Sequence, residues 1–292
     1  DAHTAFTLDF DQLSKNHSNV EHDILKTAQL LPGINSIDDS AANLQIRGSN
    51  PGQNLVLWEG VPLYNSGHVF GMISAINPFS VENVSIYKGA HDPKYDNRVG
   101  GVVDVSLSDK LTNGFHGSVG TTLTEAHSNL SIPIIKDQLT VELAGRKTLN
   151  GIFNSPALQS YTDKVFQFTI IDEQKNQPSS DPLRTEQTLD YSDWNAKVLF
   201  RPSDRILING GIYNNTQDFT YTFWVEDDVI KLQDNIRLNT QIFSLQSEIE
   251  VTDQWTSNLS LYQSSYQHDY DKREFENDII LTSNDQLNRI KE

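Results

Sequence analysis

The sequence predicts a small mixed α+β domain over residues 1–112, followed by the antiparallel strands of a transmembrane β-barrel over 113–292. Three observations carry this reading. The first stretch holds short runs rich in Val, Ile and Leu, each bounded by Gly, Pro or Asn. From 113 onward the runs lengthen and alternate apolar and polar residues with period two. The connections between these longer runs switch between tight turns and long polar stretches, a regularity of membrane barrels that soluble sandwiches rarely share.

Taken in order, "VEHDILKTAQLLPGI" (20–34) is the helix candidate: Ile24, Ala28 and Leu31 fall on one face, Leu25 lies beside them, and Pro32-Gly33 stops the element. His22 falls on a face of this helix beside Glu21 and Asp23. "NLQIRG" (43–48), "NLVLWEGVPL" (54–63), "VENVSIYKG" (81–89) and "GGVVDVSLSD" (100–109) read as strands. Gly48, Gly60, Gly89, Gly100 and Gly101 serve turns and close backbone approach. Lys88-Gly89 lacks the following Ser/Thr and the Gly spacing of a phosphate loop.

Eight strands follow, near 115–123, 128–134, 138–147, 193–201, 205–213, 238–252, 254–267 and 286–292. In "WNAKVLFR", Trp194, Ala196, Val198 and Phe200 share one face, with Asn195, Lys197 and Arg201 on the other. In "NTQIFSLQSEIEV", Phe243, Leu245, Ile249 and Val251 oppose Thr240, Gln246, Glu248 and Glu250. "QLTVELAGR" sets Leu139, Val141 and Leu143 against Thr140, Glu142 and Arg146. Tight turns are expected at 133–137, 201–204 and 251–254, and long polar connections over 148–191, 214–236 and 268–285. An eight-stranded barrel is only wide enough for its own side chains, so a barrel that encloses the first domain needs about 22 strands. The chain therefore reads as the N-terminal part of a larger protein.

Composition excludes several classes. A net charge of −17 argues against a nucleic-acid binder, which presents a basic face. Cysteine is absent, so there is no disulfide framework and no Cys-based zinc site. Asp1 opens the sequence and Met72 is its only methionine, as expected of a processed or trimmed start, and no signal peptide is visible. No window offers 18 consecutive apolar residues, so no transmembrane helix is expected, whereas barrel strands need only about 9–11 residues. The eight histidines show no metal-ligand spacing, and no nucleophile–base or paired-carboxylate arrangement stands out. No enzyme and no cofactor are expected.

At the level of ordered motifs, the first 112 residues resemble the plug domain of TonB-dependent outer-membrane receptors. The resemblance rests on "HDILKTAQLLPGI" (22–34), "LQIRGSNPGQNLVLWEGVPLY" (44–64), "HVFGMISAINPFSVENVSIYKGAHDPKY" (68–95) and "RVGGVVDVSLSD" (98–109). "VPLYNSGHVFGMISAINPF" is similar to a Bacteroidota-type branch, as are "FHGSVGTTL" and "SIPIIKDQLTVELAGRKT" at the barrel start. The likeness covers about 1–150 in motifs and the remainder in texture. Two departures stand out: Glu59 replaces the usual Asp before Gly-Val-Pro, and no TonB-box segment is recognisable before the plug.

The resemblance implies import of a scarce ligand by plug gating, energised by a TonB–ExbB–ExbD complex, in a Gram-negative outer membrane. Outer-membrane lipid would surround the barrel, the plug N-terminus would be periplasmic and the long loops extracellular. It implies plug arginines Arg47 and Arg98 latched to Glu142, Glu248 and Glu250 on the inner wall, since an arginine buried in or beside an apolar strand needs a partner. It also implies apical plug loops that touch ligand, with Tyr64, Asn65, His68 and Phe70 as candidates. Acidic "IDEQ" (171–174) and "EDD" (226–228) would belong to solvated outer loops. A non-transporting accessory subunit of a larger outer-membrane assembly, with a surface lipoprotein as the alternative partner, keeps the same fold; a soluble β-rich binding module is the third reading. The cargo itself is not legible, because one fold serves siderophores, cobalamin, oligosaccharides and peptides.

Overall fold

The computed structural model describes residues 5–9, 23–89, 95, 99–150, 155–166, 185–225, 230–276 and 279–292. Helix α1 (Ile24–Ala28) starts where Asp23 accepts the Lys26 amide at 3.0 Å, satisfying a donor that the first turn leaves open. It is shorter than its periodicity suggests, and residues 20–22 lie outside the described residues. The N-terminal unit then builds β1 (Ala5–Asp9), β2 (Ile34–Ser36), β3 (Leu44–Ile46), β4 (Leu55–Trp58), β5 (Val61–Pro62), β6 (Gly67–His68), β7 (Ile73–Ser74), β8 (Val81–Tyr87) and β9 (Val102–Leu107). One sheet runs in the order β1-β8-β9-β4-β5, with β4 and β9 parallel; β2-β3 and β6-β7 form small separate ladders.

The run 54–63 is a hairpin rather than one strand. Glu59 and Gly60 take φ of 53° and 74°, the left-handed pair of a two-residue turn whose twist matches its strands. Gly101 serves close approach, since a Cβ there would lie 2.4 Å from Ile46 Cδ1. Asn54 ties the two ladders: its Nδ2 donates to Leu44 O at 2.7 Å and its Oδ1 accepts the Gly101 amide at 2.8 Å. Asn54→Ala strands both backbone groups. We expect it to cost about 1–3 kcal/mol, read as a lower urea midpoint for the N-terminal unit in the full-length protein, with a loss below a few tenths of a kcal/mol contradicting the assignment.

Eight antiparallel strands follow in simple sequence order: β10 (His116–Thr121), β11 (Glu125–Ile135), β12 (Leu139–Thr148), β13 (Thr185–Ser203), β14 (Ile206–Val225), β15 (Ile230–Thr252), β16 (Trp255–Glu276) and β17 (Ile279–Lys291). The sheet is open, with β10 and β17 at its edges. Helix α2 (Pro156–Phe166) sits in the connection between β12 and β13.

The N-terminal unit packs on one face of this wall, and burial is inverted relative to a soluble sheet. On β13 the inward residues include Asp193, Asn195 and Lys197, while Trp194 and Val198 face outward, 48% and 41% exposed. On β15, Thr240 and Ile242 are buried and Phe243, Leu245 and Val251 are exposed. Apolar out and polar in is the pattern of a wall bathed in lipid.

Beyond this band the pattern reverses. Phe219 and Tyr221 on β14 and Leu189 on β13 point inward and are buried, and Asp218 and Asp190 take the alternate positions. This explains a difference from expectation: 214–236 and 268–285 are strand rather than long polar loops, because β14 runs to Val225, β15 starts at Ile230, β16 runs to Glu276 and β17 starts at Ile279. Strands of 19–23 residues are about twice what a bilayer needs, so they project past it. Of the expected long connections, 148–191 holds α2 and the first residues of β13, while 171–174 and 226–228 lie outside the described residues.

Candidate functional site

The site is the seam between the N-terminal unit and the wall. Wall side chains reach backbone carbonyls of the unit along much of its height. Asn129 Nδ2 donates to Phe79 O, Gln246 Nε2 to Glu59 O and Ser264 Oγ to Pro62 O, each at 2.7 Å. The Tyr213 hydroxyl donates to Ala75 O, and Gln217 Oε1 accepts the Val69 amide at 2.7 Å. Asn195 Nδ2 donates to Ser80 Oγ at 3.2 Å. These bonds fix position, and water can take the place of either partner.

Two ionic centres sit within the seam. At the first, β12 carries Arg146 inward, where Nε donates to Asp193 Oδ2 at 2.7 Å and NH2 to Ser74 O at 2.8 Å. Glu125 lies 3.4 Å from the same guanidinium and accepts the Tyr191 hydroxyl at 2.8 Å. His68 enters from the N-terminal unit, its Nε2 3.2 Å from Asp193 Oδ1 and its ring stacked on Tyr191 with centroids 4.3 Å apart. Asp23 closes the group by accepting the Ser74 amide at 2.6 Å; burial pushes its carboxyl up, against the pull of that amide and of Lys26.

At the second centre, Lys197 of β13 meets Glu59 and Asp109, each at 2.7 Å. Glu59 also accepts the Leu107 amide. Burial pushes the Glu59 carboxyl up, and Lys197 opposes that shift. The left-handed turn at Glu59-Gly60 is what aims this carboxylate out of the sheet toward the wall. Charge-assisted bonds of this kind are about twice as strong as neutral ones.

The Arg47 half of the expected latch is not formed among the described residues. Arg47 is exposed, in a left-handed turn (φ 52°) after β3, and among the described residues it makes no ion pair with Glu142, Glu248 or Glu250. In the two ionic centres the cations Arg146 and Lys197 belong to the wall, and the N-terminal unit brings the acid Glu59. Arg98 lies outside the described residues, as does His22. Glu142 faces inward opposite Lys197 in the β12–β13 register, and Glu248 and Glu250 keep inward parity low on β15. Of the charges that do meet, Arg146 and Lys197 were visible as polar residues alternating with apolar ones, whereas Glu125 fell between two expected strands and Asp193 at the start of another; the sequence did not say which would meet a partner across the seam.

Of the apical candidates, Tyr64, Asn65 and Phe70 line a cavity of about 630 Å³ beside the N-terminal unit. His68 does not join them, because it is fully buried in the Arg146 centre. The hairpin that carries Phe70 is strained: Val69 and Phe70 hold φ of 53° and 54°, a rare state for a β-branched residue. Gln217 holds the Val69 amide, Phe219 meets Phe70 edge-on with centroids 5.1 Å apart, and Leu158 of α2 joins Val69, Met72 and Ile73 in one apolar cluster. Among the described residues no group of His, Asp or Glu is placed to hold a metal, and no helix is long and apolar enough to cross a membrane.

A folded unit bonded to the polar inner face of a wall whose outer face is apolar is the arrangement of a stoppered barrel. Residues 11–102 match the TonB-dependent Receptor Plug Domain family. The N-terminal unit is therefore called the plug below. A curated relative, "Probable TonB-dependent siderophore receptor PirA" of Acinetobacter baumannii, is 26% identical in a 155-residue alignment that covers 43% of this chain and 20% of that protein.

Among solved structures, the siderophore receptor PirA from Acinetobacter baumannii superposes with a TM-score of 0.50 at 16% identity, over 92% of this chain and 45% of the other. The siderophore receptor PirA from Pseudomonas aeruginosa gives 0.50 at 14% identity, over 94% and 44%. The chain thus spans less than half the length of these relatives. The structural likenesses show the fold, a plug followed by part of an antiparallel barrel; with the plug match and the curated relative they support a TonB-dependent receptor.

Proposed function

We propose that the chain is the plug and first barrel strands of an outer-membrane receptor that imports a scarce ligand by plug gating. The observation that supports this is the seam itself: Asn129, Tyr213, Gln246 and Ser264 hold plug carbonyls by single hydrogen bonds. Each such bond contributes about 0.5–1.5 kcal/mol net, so the plug can be pulled from its seat in steps while water satisfies the exposed groups. The two ionic centres, with stronger bonds, set where the resistance lies.

On this reading a TonB–ExbB–ExbD complex supplies the pull from the short-turn side, the periplasm, and the ligand meets the plug from the side of the long connections. Ligand binding need only shift an existing equilibrium between seated and released plug. The branch is Bacteroidota-type, on the motifs around Tyr64 to Phe79. Relatives named for siderophores make iron carriers the first ligands to try.

The test is a staple across the seam. Ser80→Cys with Asn195→Cys replaces a 3.2 Å contact between plug and β13 by a disulfide in the full-length receptor. Oxidised cells should bind ligand but lose energised uptake by at least tenfold, and a reductant should restore it. Uptake that persists with the staple formed rules out plug movement at this seam.

A further inference from the structure

The seam differs from one side of the plug to the other. Along β14 and β15 an apolar core crosses it, beside the hydrogen bonds of Tyr213, Gln217 and Gln246. Tyr213 and Ile242 belong to the plug's own hydrophobic core, and Gly211 makes room for Trp58, since a Cβ there would lie 2.9 Å from the indole Cη2. Along β10–β12, among the described residues, no buried apolar cluster crosses it. A cavity of about 480 Å³ separates these strands from the plug, lined by Glu82, Lys110, Ser118, Asn129, Ser131 and Glu142. The Ser131 Oγ is buried there without a hydrogen-bond partner, the condition in which an interior holds water.

The end of this cavity away from the short turns is closed by two rings. Phe79 of the plug stacks on His127 of β11 with centroids 3.4 Å apart and planes 8° from parallel. Gly120 is the β10 partner of His127, and a Cβ on it would lie 2.4 Å from the imidazole Nε2. The wall is thus cut to seat that ring. Arg146 is the β12 partner of His127, and Glu125 stands two residues before His127 on β11.

We propose that solute passes the plug on this side: the plug stays anchored to β14–β15 and parts from β10–β12, with the Phe79–His127 stack as the constriction. The physical reason is the asymmetry of cost. Parting the β14–β15 side exposes apolar surface, which water resists in proportion to area. Parting the β10–β12 side exchanges polar contacts for hydration; the Arg146–Asp193 and Arg146–Glu125 pairs lie within the wall and persist, so that centre loses only the Arg146 bond to Ser74 O and the His68 contact. Glu82 and Glu142 give the lower route an acidic lining offset by Lys110, which suits hydrophilic neutral or cationic solutes over anions. The inference rests on the gating reading.

The experiment needs neither ligand nor energy. The full-length receptor is reconstituted in liposomes and arabinose influx is followed by swelling. Phe79→Ala with His127→Ala should raise influx at least tenfold over the unaltered receptor. Gly120→Ala, which displaces the imidazole while keeping both rings, should raise it at least threefold. Thr240→Ala with Ser244→Ala, on the anchored side, should leave it within twofold.

In the leaky double variant, Ser131→Cys modified by a cationic methanethiosulfonate should return influx to the unaltered level, and Thr240→Cys modified likewise should not. Unchanged influx in both the double variant and Gly120→Ala overturns the route, as does a leak that survives modification at position 131. Uptake that survives the Ser80–Asn195 staple sinks the gating reading instead, whatever the influx.

Discussion

Arg146→Ala in the full-length receptor should lower the free energy of plug unfolding by about 3–5 kcal/mol, the cost of leaving buried charge uncompensated. Its guanidinium holds Asp193 and Glu125, whose side chains are 1% and 8% exposed, and also bonds the Ser74 carbonyl of the plug. Removing the cation therefore strands two wall carboxylates facing each other and opens one plug contact at once. Neither carboxylate can reach bulk water without the plug moving, so the plug rather than the wall should give way. The measurement is a urea titration in detergent, with protease cleavage inside the plug as the readout and the intact barrel as internal reference. Arg146→Lys keeps the charge but loses the fork that spans Nε and NH2, and should fall between the two. A loss below about 1 kcal/mol for Arg146→Ala would show that the centre is hydrated and carries little of the seat.

Trp58→Ala is the second large effect. The indole is fully buried at the end of β4, packed against Tyr213 with centroids 5.4 Å apart, in a core that the plug shares with Ile242 of β15. Truncation removes a large apolar volume from a close-packed site and leaves a cavity, a loss of about 3–5 kcal/mol. Because plug and wall both line the site, the variant should weaken the plug's own folding and its seating together. Trp58→Phe offers a sharp control. The indole Nε1 makes no hydrogen bond, so the phenyl ring forfeits volume but no polar bond, and its cost should be well under half that of alanine. Equal costs for the two substitutions would mean that the indole edge, not its bulk, seats the plug.

Much of the fold was legible in the residues. Period-two alternation placed eight wall strands in their order, and the ordered motifs from Leu31 to Asp109 placed the plug. Alternation also put Lys197, Arg146 and Glu142 on the polar face of their strands. It failed at two kinds of place. Where β14, β15 and β16 leave the apolar band, the inward face turns from polar to aromatic, as at Phe219 and Tyr221, so the pattern read in the band no longer applied and strand was taken for loop. The Arg47 latch failed for another reason. Arg47 sits in a short strand that looks buried, yet its left-handed backbone turns it to solvent. Glu59, treated as a conservative change in a motif, is instead aimed by its turn at a wall lysine.

What the sequence determined alone is a matter of local periodicity and composition: a small α+β unit, a run of barrel strands, no helix that spans a membrane and no disulfide framework. These follow from side chains that repeat every second residue and from turn residues whose backbone preferences act over a few positions. What only the tertiary structure decided is which charges meet. Arg146 and Asp193 are 47 residues apart, and Lys197 and Glu59 are brought together from the wall and the plug. Such pairings depend on strand register and on the height at which the plug sits in the wall, quantities fixed by the packing of the whole and written in no single stretch of chain.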